Sequence, residues 1–127
     1  MVDLLGQGAA WLTGRLNAHA GRAITYARGA ASVELTATVG RTEFEQVDEY
    51  GVVHRTESRD FLVSAEDLIL NAVEVLPAAG DVITEDDGTK TYTYEVMAPG
   101  GEPPWRHSDP QRVRLRIHSK HVGTALS

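Results

Sequence analysis

The sequence contains no cysteine, which excludes disulfide bonds and thiolate metal sites. No apolar run reaches the roughly 18 residues that a membrane-spanning helix requires. The first residues are acidic rather than basic, and Gly6 and Gly8 interrupt their apolar run, so we expect no secretory signal and predict synthesis in the cytoplasm. Phosphate-binding loops, dinucleotide-binding fingerprints and nucleophile elbows are also missing. Stability must therefore come from packing or assembly, and the common enzyme classes find no support.

The composition is that of one ordinary globular domain, predicted to span 1–127, with 42% apolar and 24% charged residues. The net charge of −6 is unevenly distributed along the chain. Residues 41–102 carry fifteen acidic and four basic groups, whereas 103–127 carry one acidic and five basic groups. A general nucleic-acid-binding protein would be basic overall. The split instead predicts an acidic face and a basic edge that recognise different things.

A β-hairpin within 76–97 is the strongest local signal. Pro77 and Gly80 favour an entry turn, Gly88 allows the chain to reverse, and 91–96 alternate between two faces as a half-buried strand does. This hairpin carries no nucleophile with a partnered base and no metal-ligand spacing. It therefore indicates a fold rather than a chemistry.

The segment 41–63 predicts a longer, mostly polar hairpin with its tip near 48–51. Its few apolar residues leave it little to bury, so we expect it to project from the core, where contacts are often made. Two shorter strands, 24–26 and 33–39, precede it. Six exposed residues of this hairpin are candidate functional positions: Glu43, Glu45, Asp48, Glu49, Tyr50 and Gly51.

Two helices are predicted beside the strands. Residues 1–21 have apolar side chains at helical spacing, and Trp11 lies either on the domain itself or against another subunit. A sequence resembling a capping box at Ser64 starts a short internal helix through Leu70. The expected fold is mainly β (α+β), a small antiparallel barrel or sandwich of six or seven strands over 22–122.

Other local patterns complete this prediction. Gly40 suggests a bulge or bend, Trp105 is expected to cover the edge of the core, and a last strand covers 112–122. The final residues, 123–127, are predicted to form a loose tail.

Chemically useful constellations are few. His118 and His121 lie three apart on a predicted strand, so they point to opposite faces and would not chelate one metal ion. Carboxylates on the 41–63 hairpin could form an acid/base pair in principle, but nothing there would separate their pKa values. We therefore expect no catalytic residues, no metal and no cofactor.

Alternating basic residues mark the last strand. Five consecutive even positions share one face, with apolar residues on the other. Three interpretations remain open: a charged edge that blocks aggregation, a phosphate track, and a docking strip for an acidic surface. The residues are Arg112, Arg114, Arg116, His118 and Lys120.

Several segments, in this order, resemble one known family. They are the start with Trp11-Leu12, then 24–29, 59–63, the Pro77-x-x-Gly80-Asp81-x-Ile83 turn, Asp87-Gly88, 94–96 and the Trp105 loop. Together they are similar to the small head-to-tail joining proteins of tailed bacteriophages, also called head-closure or stopper proteins. The resemblance covers nearly the whole chain.

This resemblance implies a non-catalytic virion protein made in the bacterial host. Such proteins are expected to form a ring, dodecameric by this resemblance, below the portal and its adaptor and above tail proteins, without contact with a membrane. A long hairpin near their channel helps to retain packaged DNA without sequence specificity, and 41–63 occupies the matching position. Its acidic tip favours occlusion over grip.

Two alternatives stay open. One is a tail-completion or minor tail protein of a phage. The other, of a different class, is a small nucleic-acid-binding β-module that uses the basic last strand. Under the docking interpretation, a neighbouring subunit or another partner contacts Arg112, Arg114, Arg116, Lys120 and Trp11.

Overall fold

A computed structural model describes residues 21–126. Within that range the regular structure consists of β-strands and two single 3₁₀ turns, at Ala65–Asp67 and Pro99–Gly101. The mainly β class is therefore confirmed. The strands are β1 Arg22–Arg28, β2 Ala31–Val47, β3 Val53–Ser64, β4 Ile69–Leu70, β5 Val73–Glu74, β6 Val82–Asp86, β7 Lys90–Val96, β8 Trp105–His107 and β9 Arg114–Leu126.

All strand pairs of the main sheet are antiparallel, and seven strands follow the order β3-β2-β1-β6-β7-β9-β8. A further pairing of β3 with β9 joins six of these strands into a closed circuit of hydrogen-bonded neighbours. The small β4–β5 pair forms a separate sheet. The circuit leaves few unpaired sheet edges, which limits edge-to-edge aggregation.

The core fills the space inside this circuit because buried side chains recur at alternate positions of each strand. Apart from two residues near β4, its members come from the six strands of the circuit. They are Ile24, Tyr26, Leu35, Ala37, Phe61, Val63, Leu68, Leu70, Ile83, Tyr94, Val96, Leu115 and Ile117. Trp105 packs against this cluster, as predicted.

Asp81, within the turn that precedes β6, fastens this turn to β1. Its buried carboxylate accepts hydrogen bonds from the Tyr26 hydroxyl, from Arg28 Nη2 at 2.8 Å and from the Ala78 amide at 3.0 Å. Burial raises the pKa of Asp81, but the bonds from Arg28, Tyr26 and Ala78 outweigh it and leave this pKa below its ordinary value. The Gly80-Asp81 pair is therefore a tertiary anchor, which local turn rules did not reveal.

The helix predictions differ from the structure. The N-terminal helix of 1–21, with Trp11, lies outside the described residues. The internal helix is wrong: a single 3₁₀ turn is followed by Ile69–Leu70 as a strand, paired with Val73–Glu74, and the Ser64 side chain makes no capping hydrogen bond. Pairing with β5 and burial of Leu68 and Leu70 keep this segment extended.

Two backbone predictions also fail. The tail expected to be loose continues β9 through Leu126, where residues 123–126 pair with β7 and satisfy its outer edge. Gly40 is not a bulge, because it pairs in unbroken register with Asp60. Glycine at this position leaves room for the Arg116 side chain, because a Cβ atom here would lie only 3.3 Å from Arg116 Nη1. No helix among the described residues is long and apolar enough to cross a membrane.

Candidate assembly surfaces

The predicted 41–63 hairpin is present, formed by β2 and β3 around a turn at 48–52. Between the tip and Arg59, over residues 53–58, β3 does not pair with β9. The outer parts of β2 and β3 therefore pair only with each other. We call this two-stranded extension, residues 41–58, the arm. Its chain-reversing tip depends on Gly51, whose φ of +77° suits glycine.

Asp48 organises the tip. Its carboxylate accepts the amides of Tyr50 and Val52, each at 2.9 Å, and lies 2.9 Å from His54 Nε2. The hydrogen bond from His54, followed by those two amides, holds the pKa of Asp48 below its ordinary value. Asp48 therefore serves the turn itself, and Glu49 is the tip carboxylate without such a structural duty.

The tip is more apolar than the sequence suggested. Val47, Val52 and Val53 are exposed, and Tyr50 is 83% exposed. Glu43 and Glu45 lie further down, on the outer face of the arm, where Glu45 pairs with Arg55 at 3.2 Å. The six candidate residues of the hairpin therefore divide between a tip and a face instead of forming one site.

A buried polar cluster holds the base of the arm. Asp60 of β3 is fully buried and accepts hydrogen bonds from Ser58 Oγ at 2.6 Å, Arg116 Nη1 at 2.7 Å, His118 Nδ1 at 2.9 Å and the Thr42 hydroxyl. Burial opposes ionisation, but these four donors outweigh it and hold the pKa of Asp60 well below its usual range. The cluster joins β2, β3 and β9 at the point where the arm leaves the sheet.

This cluster contains serine, histidine and aspartate, yet it cannot work as a catalytic triad. Ser58 Oγ, at 3.4 Å, and Asp60 Oδ1 both face the same ring nitrogen, Nδ1 of His118, and Ser58 donates to Asp60. A triad needs the serine and the carboxylate on opposite ring nitrogens. All three side chains are also buried. Among the described residues no group of three or more potential ligands could hold a metal ion.

The prediction that the basic residues of the last strand form one continuous exposed surface is wrong. Arg112 lies in a turn before β9 with a φ of +60°, Arg116 is paired with Asp60, and His118 is 3% exposed. Arg114 is half-buried, and only Lys120 and Arg112 are exposed. Neighbouring β3 brings Asp60 against this face, which strand periodicity alone could not indicate. The docking roles of these residues, and of Trp11 outside the described range, stay predictions.

The described residues thus define a small, mainly β module that presents a β-arm on a polar-anchored base. A family model described as phage head-tail joining protein matches residues 2–125. The chain therefore belongs to the phage head-tail joining protein family, as its sequence resemblance indicated. This family membership makes it a structural component of the phage particle, where head and tail meet. A comparison with curated proteins gave no match.

Proposed function

We propose that the protein is a head-closure, or stopper, connector that forms a ring below the portal and its adaptor. The ring seals the packaged DNA and offers the surface to which the tail attaches. Family membership supports the location in the particle. The observation that carries the sealing role is the arm, a projecting element whose base is fixed by the buried Asp60 cluster.

The arm has the reach and stiffness for this work. From Arg41 to Val47 each strand advances about 20 Å at roughly 3.3 Å per residue. Cross-strand hydrogen bonds continue to the last pair, Val47 with Val53, so the arm is a ladder rather than a loose loop. Phe44 packs edge-on against the His118 ring at 5.2 Å and braces the inner face. A ring of such arms would narrow a central channel.

The charge of the arm favours occlusion over grip. Glu43 and Glu57 face each other across the two strands, and Glu49 is exposed at the tip. Arg55 is paired with Glu45, and Arg41 lies 3.8 Å from Glu57. Carboxylates repel phosphates, so the arm can block DNA sterically and still release it without adhesion. A tail-completion role remains the alternative within the phage particle.

Shortening the arm tests the sealing role. Residues 47–53 are replaced by Asn-Gly, a two-residue turn suited to a β-hairpin. The fold should keep its stability, since the deleted side chains are exposed except that of Asp48, whose bonds serve only the removed turn and His54, but assembled heads should lose DNA. The measurement is the DNA content of purified particles.

A matched control keeps the arm at full length and replaces Glu49 and Tyr50 by serine. Steric occlusion depends on length, so this control should retain DNA like the unmodified protein. Normal DNA content with the shortened arm would contradict the sealing role. Leakage with both variants would mean that tip chemistry, rather than length, retains the DNA.

A further inference from the structure

A positively charged cleft lies beside the base of the arm, where the chain as a whole is acidic. It has a volume of about 590 Å³, and its walls come from β2, β3, β7 and β9. Arg41, Arg59 and Lys120 face it against one carboxylate, Glu57, whereas the whole chain has a net charge of −6. We call these three residues, with His121, the basic cleft.

The path of β9 creates this cleft. Its first half pairs with β3 as far as Ser119, opposite Arg59, and its second half pairs with β7. The register shifts there, because His121 pairs with Tyr94 while Gly123 pairs with Thr93, leaving an extra residue on β9. Such bulges bend a strand and redirect its side chains. The strands separate at this point, and Gly40 adds no side chain to fill the gap.

Arg59 is held in place at the floor of the cleft. Its Nη2 donates to Glu85 at 3.0 Å, and Glu85 also accepts from Arg22 at 2.7 Å. The guanidinium lies 5.1 Å from the centre of the Tyr94 ring, and its Nε is buried without a hydrogen-bond partner. Glu85 therefore serves two arginines, and Arg59 keeps donor capacity beyond that bond.

The other two cations, Lys120 and Arg41, lie at the edge of the cleft and are accessible to a partner. Lys120 is exposed and forms no ion pair with any described residue. The side chain of Arg41 is 76% exposed, and its contact with Glu57 is long, at 3.8 Å. Exposed arginine can still pair with a carboxylate through two parallel hydrogen bonds. The cleft therefore offers one fixed and two adaptable cations to an acidic partner.

An acidic surface lies across the sheet circuit from the cleft. It consists of the turn between β6 and β7, with Asp86 and Asp87, and of Glu34 on the outer surface of β2. We call these three residues the acidic rim. The Arg22–Glu85–Arg59 bridge runs between the two surfaces, connecting β1 and β6 with β3. One subunit thus carries opposite charges on two sides.

We propose that the basic cleft of one copy receives the acidic rim of a second copy, with the β6–β7 turn as the inserted element. The proposal rests on the proposed ring-forming function and names the contact that builds the ring. A head-to-tail contact between two different surfaces closes a ring when it is repeated. Complementary charges set the register and the choice of partner. Only the base of the arm, with Arg41, takes part in the contact, and its tip stays free for the channel.

Charge reversal on each surface tests the contact. The cleft variant is Arg41→Glu with Lys120→Glu, which spares Arg59. The rim variant is Glu34→Lys, Asp87→Asn and Thr89→Lys; it keeps Asp86, and an asparagine oxygen can still accept the turn amides that Asp87 accepts. Each protein is added to heads from a phage that lacks this gene, and the copies bound per head are counted. Each variant alone should bind at least about tenfold less than the unmodified protein.

Mixing the two variants is the decisive part of the experiment. The cleft variant has acidic groups on both surfaces and the rim variant is shifted towards positive charge on both, so an equimolar mixture can alternate around a ring. The mixture should recover most of the lost binding. Reversal of Arg106 and of Glu74, both exposed and outside the two surfaces, is the matched control and should change nothing.

A cross-link shows which residues meet. Because the chain has no cysteine, Lys120→Cys in one preparation and Thr89→Cys in another give a disulfide only between copies. Oxidation on heads should yield the mixed dimer, whereas a cysteine at Arg106 in place of Lys120 should not. Each protein must first show an unchanged circular dichroism spectrum.

The outcomes separate the contact from the proposed function. Any one of three results overturns the contact: normal binding by both reversed variants, no recovery of binding on mixing, or no mixed dimer. If heads are nevertheless closed by those variants, the proposed function still holds. Heads that join tails and keep DNA without the protein overturn the function. If the unmodified chain binds duplex DNA in a salt-sensitive way, and only the cleft variant loses this binding, the cleft is a phosphate site and the contact between copies is wrong.

Discussion

Replacing Asp60 by asparagine should destabilise the protein more than any surface change of the same size. Asp60 is fully buried, and its carboxylate receives four donors, two of them on the basic side chains Arg116 and His118. Removing one partner of a buried ion pair costs about 3 to 5 kcal/mol. The side chain of Arg116 is 23% exposed, so water compensates in part and the lower end of that range applies.

That loss is large beside the roughly 5 to 15 kcal/mol of a typical domain. For a chain of this length it corresponds to a midpoint of thermal unfolding about 10 to 15 °C lower. Urea unfolding of purified Asp60→Asn against the unmodified protein gives the difference directly. Glu57→Gln, on an exposed carboxylate of the same strand, is the control and should change stability by less than about 0.5 kcal/mol.

The same variant has a pH signature. The pKa of Asp60 is lowered in the folded protein, so its ionised form contributes stability above the unfolded value near pH 4, and this contribution is lost as the pH falls towards the folded pKa. Asp60→Asn should therefore show a flatter loss of stability below about pH 4. If Asp60→Asn does not fold, Ser58→Ala, which removes one donor, should cost about 1 kcal/mol. If Asp60→Asn lowers the free energy of unfolding by less than about 1 kcal/mol, and stability at acid pH falls as it does in the unmodified protein, this account of the arm base is refuted.

Three further predictions concern space, the C-terminal strand and assembly. Gly40→Ala should displace the Arg116 guanidinium and lower stability by about 1 kcal/mol in urea unfolding, whereas Gly123→Ala, where a Cβ meets nothing within 4 Å, should not; equal effects would contradict the packing argument. Ending the chain after Val122 should expose the edge of β7 and increase hydrogen exchange at Thr91 and Thr93, which lie opposite Ala125 and Gly123, and unchanged exchange would mean that the pairing is dispensable. The isolated protein should be a monomer or weak oligomer by mass measurement at micromolar concentration; a stable closed ring in solution would show that no partner is needed.

Local patterns were sufficient for much of the sheet. The alternation of 91–96, the turn at Gly88 and the hairpin tip near 48–51 depend on residues close in sequence, and the structure has all three. The resemblance also led to the correct family, because its motifs span the chain. Predictions failed where a distant strand decides the outcome. The segment after Ser64 is extended because β5 pairs with it, and residues 123–126 are ordered into β9 because β7 offers them an edge.

The candidate sites show the same division. A period of two places Arg114, Arg116 and His118 on one face of a strand by geometry alone, and the sequence determined that much. What covers this face depends on which strand lies beside it and in which register, and only the tertiary structure decided that Asp60 of β3 pairs with Arg116 and His118. The basic cleft has the same origin. Arg41 and Arg59 face each other across the β2–β3 hairpin, but Lys120 comes from β9, far along the chain, and joins them only because β9 changes partners beside Arg59.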